Sequence, residues 1–250
     1  MYSADSTERP TPARASDPGL RALGPSARET LRNLLRRIAP GFQVAPTAID
    51  LIVEHAQVTN WRAGQKIVAP GDPSDFVYFL VGGAVRLDLQ IGGRWLTAGF
   101  VPAGNFIGSA LPSVRREFPF AAVAHVPSLI ALVSHDTMRR TFERLRPEVV
   151  YRIVANEVAR LQSLVVGKTR LLASPLQDRL TSELAILARD FGRPGSDGIL
   201  IDLPLIHRDL AQLVVASRAN VTRALCALRH AGTIDLVSRR ILLRCPANDR

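Results

Sequence analysis

Two cysteines in 250 residues, Cys226 and Cys245, are too few and too widely separated for a zinc or iron–sulfur site. They do not make a secreted disulfide framework either, and a reducing cytoplasm is the expected location. The five histidines, His55, His125, His135, His207 and His230, never fall two apart. That spacing speaks against the clustered His and Glu ligands of a metal-dependent, cupin-like enzyme, and no metal or cofactor is expected. The chain has no Gly-x-Ser-x-Gly elbow and no phosphate-binding loop, so a catalytic role is not expected. Nor does any stretch approach about eighteen uninterrupted apolar residues. The opening stretch MYSADSTERPTPARASDPG lacks an apolar signal region, so neither export nor a membrane span is expected. Lysine is almost missing, with only Lys66 and Lys168, which leaves arginine to carry the positive charge.

That charge is unevenly spread. The net charge is +10; residues 205–250 hold eight Arg against three Asp, whereas residues 41–204 hold seventeen basic against fifteen acidic side chains. A basic end of this kind suits a polyanion, because each phosphate neutralised releases counterions. Composition also segments the chain. Residues 1–27 are rich in Pro, Ser, Ala, Asp and Arg and are expected to be a disordered tail. RETLRNLLRRI, residues 28–38, spaces Leu31, Leu34, Leu35 and Ile38 as one face of a helix. From Trp61 to Val133 short β-rich runs alternate with Gly71-Asp72-Pro73, Gly82-Gly83 and Gly92-Gly93, the rhythm of an antiparallel roll.

After His135 the pattern turns helical. The segment after Pro147 carries Val150, Val154, Val158, Leu161 and Val165 as an apolar stripe between charged positions. A helix this long has more apolar face than one domain covers, and a parallel contact with the same helix of a second subunit is the simplest solution. Ser174-Pro175 marks a joint; LQDRLTSELAILARDFG is a further amphipathic helix, ended by Gly192-Arg193-Pro194-Gly195. The expected domains are a roll over 28–146, a dimerisation helix over 147–172 and a DNA-binding unit over 173–250.

In HRDLAQLVVASRANVTRALCALRHAG, Leu210, Ala211 and Val214 are spaced to pack on Val221, Ala224 and Leu225 across a turn at Val215-Ala216. Ser217 is placed to cap the second helix. Behind the cap stand Arg218, Ala219, Asn220, Thr222 and Arg223, a face of donors and small groups at a helix N-terminus. Such a face suits a major groove, with guanidinium forks for guanine or phosphate. The plain alternative is an α-helical hairpin with solvated arginines.

The order of roll, long helix, HRDLAQLVVASRANVTRAL and the strand RRILL resembles the cyclic-AMP receptor protein and fumarate–nitrate regulator (CRP/FNR) superfamily of bacterial transcription factors. The likeness spans roughly 28–245 and is strongest in IVAPGDPSDFVYFLVGGAVRL and in the helix-turn-helix with its wing, IDLVSRRILL. It implies an α+β fold with an N-terminal β-roll (a cyclic-nucleotide-binding-like jelly roll), a long dimerisation helix and a C-terminal winged helix-turn-helix. It also implies a homodimer on double-stranded DNA at a near-palindromic site, half-sites about 34 Å apart, with RNA polymerase as a further partner.

Two departures stand out. Relatives usually place glycine at the turn, where this chain has Val215, so either the turn differs or strain is stored. Relatives that bind cyclic nucleotides hold the ribose with Gly-Glu, the phosphate with Arg-Ser/Thr-Ala and the adenine with Thr-Ser. The matching positions here are Gly108-Ser109, then Phe118, Pro119 and Phe120, then Leu164-Val165. Apolar side chains cannot hold a buried phosphate, so cyclic AMP is not the expected effector. Open alternatives are a shifted loop bringing Arg115 or Arg116 to a phosphate, a pocket filled by its own side chains, an apolar ligand, and haem held through His125 or His135. The iron–sulfur sensing of other relatives needs an N-terminal cysteine cluster that this chain lacks.

Overall fold

The computed structural model describes residues 21–38, 46–108, 117–155, 158–159, 162, 174–237 and 240–244. The chain divides into two units, residues 1–89 with 103–150 and residues 90–102 with 151–250. In chain order the first unit carries β1 (Arg21–Ala22), α1 (Pro25–Ile38), α2 (Pro46–His55), β2 (Gln57–Trp61), β3 (Lys66–Val68), β4 (Phe76–Gly82), most of β5 (Ala84–Ile91), β7 (Phe106–Ile107), β8 (Ala121–Ala124), β9 (Ser128–Ser134) and α3 (His135–Glu143), while β6 (Arg94–Pro102) falls in the second. The strands of the first unit lie in two sheets, one ordered β1-β2-β9-β4-β7 and one containing the run β3-β8-β5, the rolled pair of sheets expected from the sequence.

The continuous apolar run of β4 is explained by burial on both of its faces. Val77 and Phe79, with Ala131 and Val133 from the paired β9, meet Leu31, Leu34 and Leu35 of α1, Ile49, Ile52 and Val53 of α2 and Met138 of α3. The alternate residues Tyr78 and Leu80 are buried as well. Between β4 and β5 the chain turns at Gly83, whose φ is +92°. A Cβ there would lie 2.6 Å from the Pro127 carbonyl oxygen and 2.7 Å from Ser128 Cα, so only glycine fits.

The ordered fold begins earlier than the expected tail boundary. Residues 1–20 lie outside the described residues, but Arg21 and Ala22 pair with Val58 and Gln57, and α1 opens at Pro25 rather than residue 28. After α3, whose N-terminus is capped by the Ser134 hydroxyl accepting from the Thr137 amide at 3.1 Å, a new helix, α4, starts at Pro147. Proline suits the first helical position because its missing N–H has no intrahelical partner there. α4 is described over 147–155 and is helical again at 158, 159 and 162; the rest of the helix expected to run to 172 lies outside the described residues.

The second unit contains α5 (Leu176–Phe191), β10 (Gly192–Gly195), β11 (Gly198–Ile201), α6 (His207–Leu213), α7 (Arg218–His230), β12 (Ile234–Val237) and β13 (Arg240–Arg244). Leu180, Leu184, Ile201, Leu210, Val221, Leu225 and Ile241 are buried in it. Its sheet runs β10-β11-β13-β12: β12 and β13 pair antiparallel as the expected hairpin, and β11 and β10 extend it to four strands. Gly192-Arg193-Pro194-Gly195 ends α5 as expected and then pairs with 198–201 as an edge strand, where a proline is tolerated.

The Tyr78 hydroxyl is buried with no hydrogen-bond partner among the described residues, and burial, with Asp72 and Asp75 nearby, pushes its ionisation well above the usual phenol range. An unpaired buried hydroxyl costs about 1–3 kcal/mol. Tyr78→Phe, which keeps the ring, should therefore raise the unfolding free energy by about 1 kcal/mol. Urea unfolding checks this: a rise in the midpoint is expected, and a fall would contradict it.

Candidate nucleic-acid interface

The two helices of the motif pack through side chains that the 3.6-residue period places on facing sides. Leu210, Ala211 and Val214 are buried on or just after α6, and Val221 and Leu225 are buried on α7. α6 is tied at its start by the Asp209 carboxylate, which accepts the Ile206 amide proton at 3.0 Å. At its end the Ala216 amide donates to the Ala211 carbonyl at 2.9 Å, a 6→1 bond that closes a Schellman turn. The residue inside that turn is Val215, with φ +52°, the only non-glycine with positive φ among the described residues. A β-branched side chain in this region stores about 1–2 kcal/mol. Of the two alternatives left by the sequence, the structure takes the strained one.

The chain then enters α7 through Ser217, an extended cap whose hydroxyl accepts from the Asn220 amide at 3.2 Å. Capping of this kind contributes about 1 kcal/mol and points the free N–H groups outward. Arg218, Ala219, Asn220 and Arg223 are exposed, and Thr222 is half-buried. The Arg223 guanidinium donates to the Asn220 side-chain oxygen at 2.6 Å, which orders both groups on one helical turn.

Carboxylates decide which arginines remain available. Arg193 and Arg240 both pair with Asp202, the latter at 2.8 Å. Arg244 and Arg229 pair with Asp235 at 2.9 and 3.5 Å, and the bond from Arg244 holds the Asp235 carboxyl below the usual carboxylate range. Among the described residues neither Arg218 nor Arg223 has a carboxylate partner, so α7 carries uncompensated positive charge at its exposed N-terminal end.

Sequence reasoning missed His207. Its Nδ1 lies 2.8 Å from the Thr222 Oγ1, fifteen residues on, a contact that no local pattern announces. It also missed a cleft of about 580 Å³ whose lining includes Leu205, Ile206, His207, Arg218, Leu236 and Ile241.

Of the seven positions expected to mark a degenerate effector site, Gly108, Phe118, Pro119 and Phe120 are described, whereas Ser109, Leu164 and Val165 lie outside the described residues. Gly108 has φ +95°, and a Cβ on it would meet the Phe118 ring at 3.3 Å. Phe118 is buried and stacks edge-on with Tyr78 and Phe120, with ring centroids 5.8 and 5.6 Å apart. Of the expected dimer stripe, Val150 is half-buried while Val154 and Val158 are 37% and 48% exposed; Leu161 and Val165 lie outside the described residues. The neighbouring Val149 is the buried one. Among the described residues no three His, Cys, Asp or Glu side chains assemble to hold a metal, and no helix is long and apolar enough to cross a membrane.

Residues 58–145 match the cyclic nucleotide-binding domain family and residues 178–247 match the Crp-like helix-turn-helix domain family. The chain is similar to a global nitrogen regulator of Synechococcus elongatus, at 33% identity over 193 residues, 76% of this chain and 86% of that protein. A CRP-like cAMP-activated global transcriptional regulator of Mycobacterium tuberculosis is 25% identical over 202 residues, 80% of this chain and 89% of that one. Among solved structures, the c-di-GMP-responsive regulator CLP of Xanthomonas campestris has a TM-score of 0.66 at 20% identity, covering 81% of this chain and all of that one (100%). FixK2 of Bradyrhizobium japonicum has a TM-score of 0.66 at 22% identity, covering 76% and 93%. These two structures share the fold described above.

Val215→Gly should relieve the turn. The strain of about 1–2 kcal/mol is partly offset by the extra backbone entropy that glycine loses on folding, about 0.5–1 kcal/mol. The variant is expected to melt about 1–4 °C higher than the parent chain in calorimetry. A lower midpoint would show that the valine is not strained in this turn.

Proposed function

The chain belongs to the CRP/FNR family of transcription regulators, and from that premise we propose that it is a homodimeric, sequence-specific DNA-binding regulator that takes up its binding-competent form without a cyclic nucleotide. The observation that carries the DNA-binding reading is the Ser217-capped N-terminus of α7, with Arg218 and Arg223 exposed and unpaired with carboxylates. Guanidinium groups there suit guanine O6 and N7, and Asn220 suits adenine N6 and N7. Ala219 offers only a methyl group. Phosphates supply most of the affinity and base edges the discrimination, so the two arginines serve both.

The homodimer rests on α4. Val154 and Val158 are spaced by four residues on one helical face and are exposed, and a second copy of the same face would cover them. Two α7 helices related by a two-fold axis then meet successive major grooves about 34 Å apart on a near-palindromic site. RNA polymerase is the further partner of a regulator placed at a promoter.

Nucleotide independence rests on Phe118. Where a cyclic phosphate would need a cation, this chain packs Phe118 between Gly108, Tyr78 and Phe120. The activation by cAMP stated for the M. tuberculosis relative is not carried over to this chain.

Two experiments test the reading. Selection from a random DNA pool by the purified protein, with no added ligand, should enrich one near-palindromic sequence. On that sequence Arg223→Ala should cost about 1–3 kcal/mol and relax preference at one base pair per half-site. Equal weakening on every sequence would make Arg223 a phosphate contact only. In the second, cyclic AMP or cyclic GMP at millimolar concentration should leave the melting temperature unchanged. A ligand at 100 times its Kd would add about 2.7 kcal/mol, so a clear shift would overturn nucleotide independence.

A further inference from the structure

Thr222 sits on the helix assigned to DNA, yet its hydroxyl is already engaged twice. Its Oγ1 donates to the Arg218 carbonyl at 2.9 Å, one turn back on α7, and lies 2.8 Å from His207 Nδ1. A hydroxyl has a single proton, and that proton is used on Arg218. The imidazole must therefore supply the second bond, with Nδ1 protonated and donating to Oγ1. His207 is the first residue of α6, so one side chain links the start of α6 to the first turns of α7 across the turn at Val215.

We propose that His207 is a positioning residue for base recognition: through Thr222 it fixes the rotation of α7 and hence the aim of Arg218 and Arg223 at the base edges. This rests on the DNA-binding reading above. It changes the role expected for Thr222: its proton is not available to a phosphate or a base acceptor, and what it can still offer is its methyl group, to a thymine methyl, and one lone pair. Leu210, Val214, Val221 and Leu225 pack the helices together, and a hydrogen bond between half-buried groups adds a directional constraint on rotation to that packing.

The test uses the full chain and the sequence that wild-type protein enriches, together with single-base variants of it, at fixed salt. His207→Ala removes the donor. His207→Asp keeps a polar side chain favourable at a helix N-terminus but offers only acceptors. His207→Asn places an amide N–H two bonds from Cβ, where Nδ1 stands. Loss of one such bond corresponds to about fivefold. His207→Ala and His207→Asp should weaken binding to the enriched sequence by about that factor and narrow its advantage over the single-base variants, while His207→Asn stays within about twofold of wild type. Thr222→Val should match His207→Ala, and the double variant should be no worse than either, because both remove the same bond. Melting curves recorded alongside separate loss of fold from loss of aim.

If wild type enriches a sequence but His207→Ala keeps every relative affinity, or His207→Asn performs no better than His207→Ala, the role of His207 is overturned and the function reading stands. If wild type enriches nothing, the function reading fails and the role of His207 fails with it.

Discussion

The helix pair proposed to meet DNA depends on a single turn. Between α6 and α7 the chain reverses through Val215 in a left-handed conformation, closed by the Ala216-to-Ala211 bond and handed on to the Ser217 cap. The turn is strained by about 1–2 kcal/mol. It persists because the helices it joins bury Leu210, Val214, Val221 and Leu225, each contributing about 1.5–3 kcal/mol. The cap adds about 1 kcal/mol more. Packing therefore outweighs strain by several fold, and the crossing of the two helices follows from packing rather than from the local preference of valine.

Charge placement builds on that frame. The C-terminal excess of arginine is not a uniform positive surface, since Asp202 and Asp235 each hold two arginines near the sheet of the second unit. The arginines of these pairs are exposed and the carboxylates half-buried, and each pair contributes little stability individually. Their larger effect is on the electrostatic field: they neutralise Arg193, Arg229, Arg240 and Arg244 and, among the described residues, leave Arg218 and Arg223 without a carboxylate partner at the N-terminus of α7, where the helix dipole has the same sign. In the roll, Phe118 is buried beside Gly108 and stacked with Tyr78 and Phe120.

Much of this was legible in the sequence, for local reasons. Helical spacing named the α6–α7 contact, and Ser217 read as a cap because its hydroxyl acts within one turn. The Gly82-Gly83 and Gly92-Gly93 breaks marked strand ends because positive φ is cheap only for glycine. What escaped was set by distant partners. Gly192-Arg193-Pro194-Gly195 reads as a helix stop, and its second role as strand β10 depends on pairing with Gly198–Ile201. α2 is short, and its apolar Ile49, Ile52 and Val53 make sense only against α1 and β4. The contact between His207 and Thr222 joins residues fifteen apart on different helices, and neither residue type announces it.

The central claim is that two α7 helices, one from each of two copies, read guanine edges in successive major grooves. Dimethyl sulfate protection on the sequence enriched by the protein measures this directly, because it reports guanine N7 base by base. The account predicts two protected clusters about 10 base pairs apart and related by a two-fold axis, with protection at one guanine per half-site lost in Arg223→Ala. A single cluster, or protection of no guanine while the protein is bound, would contradict it.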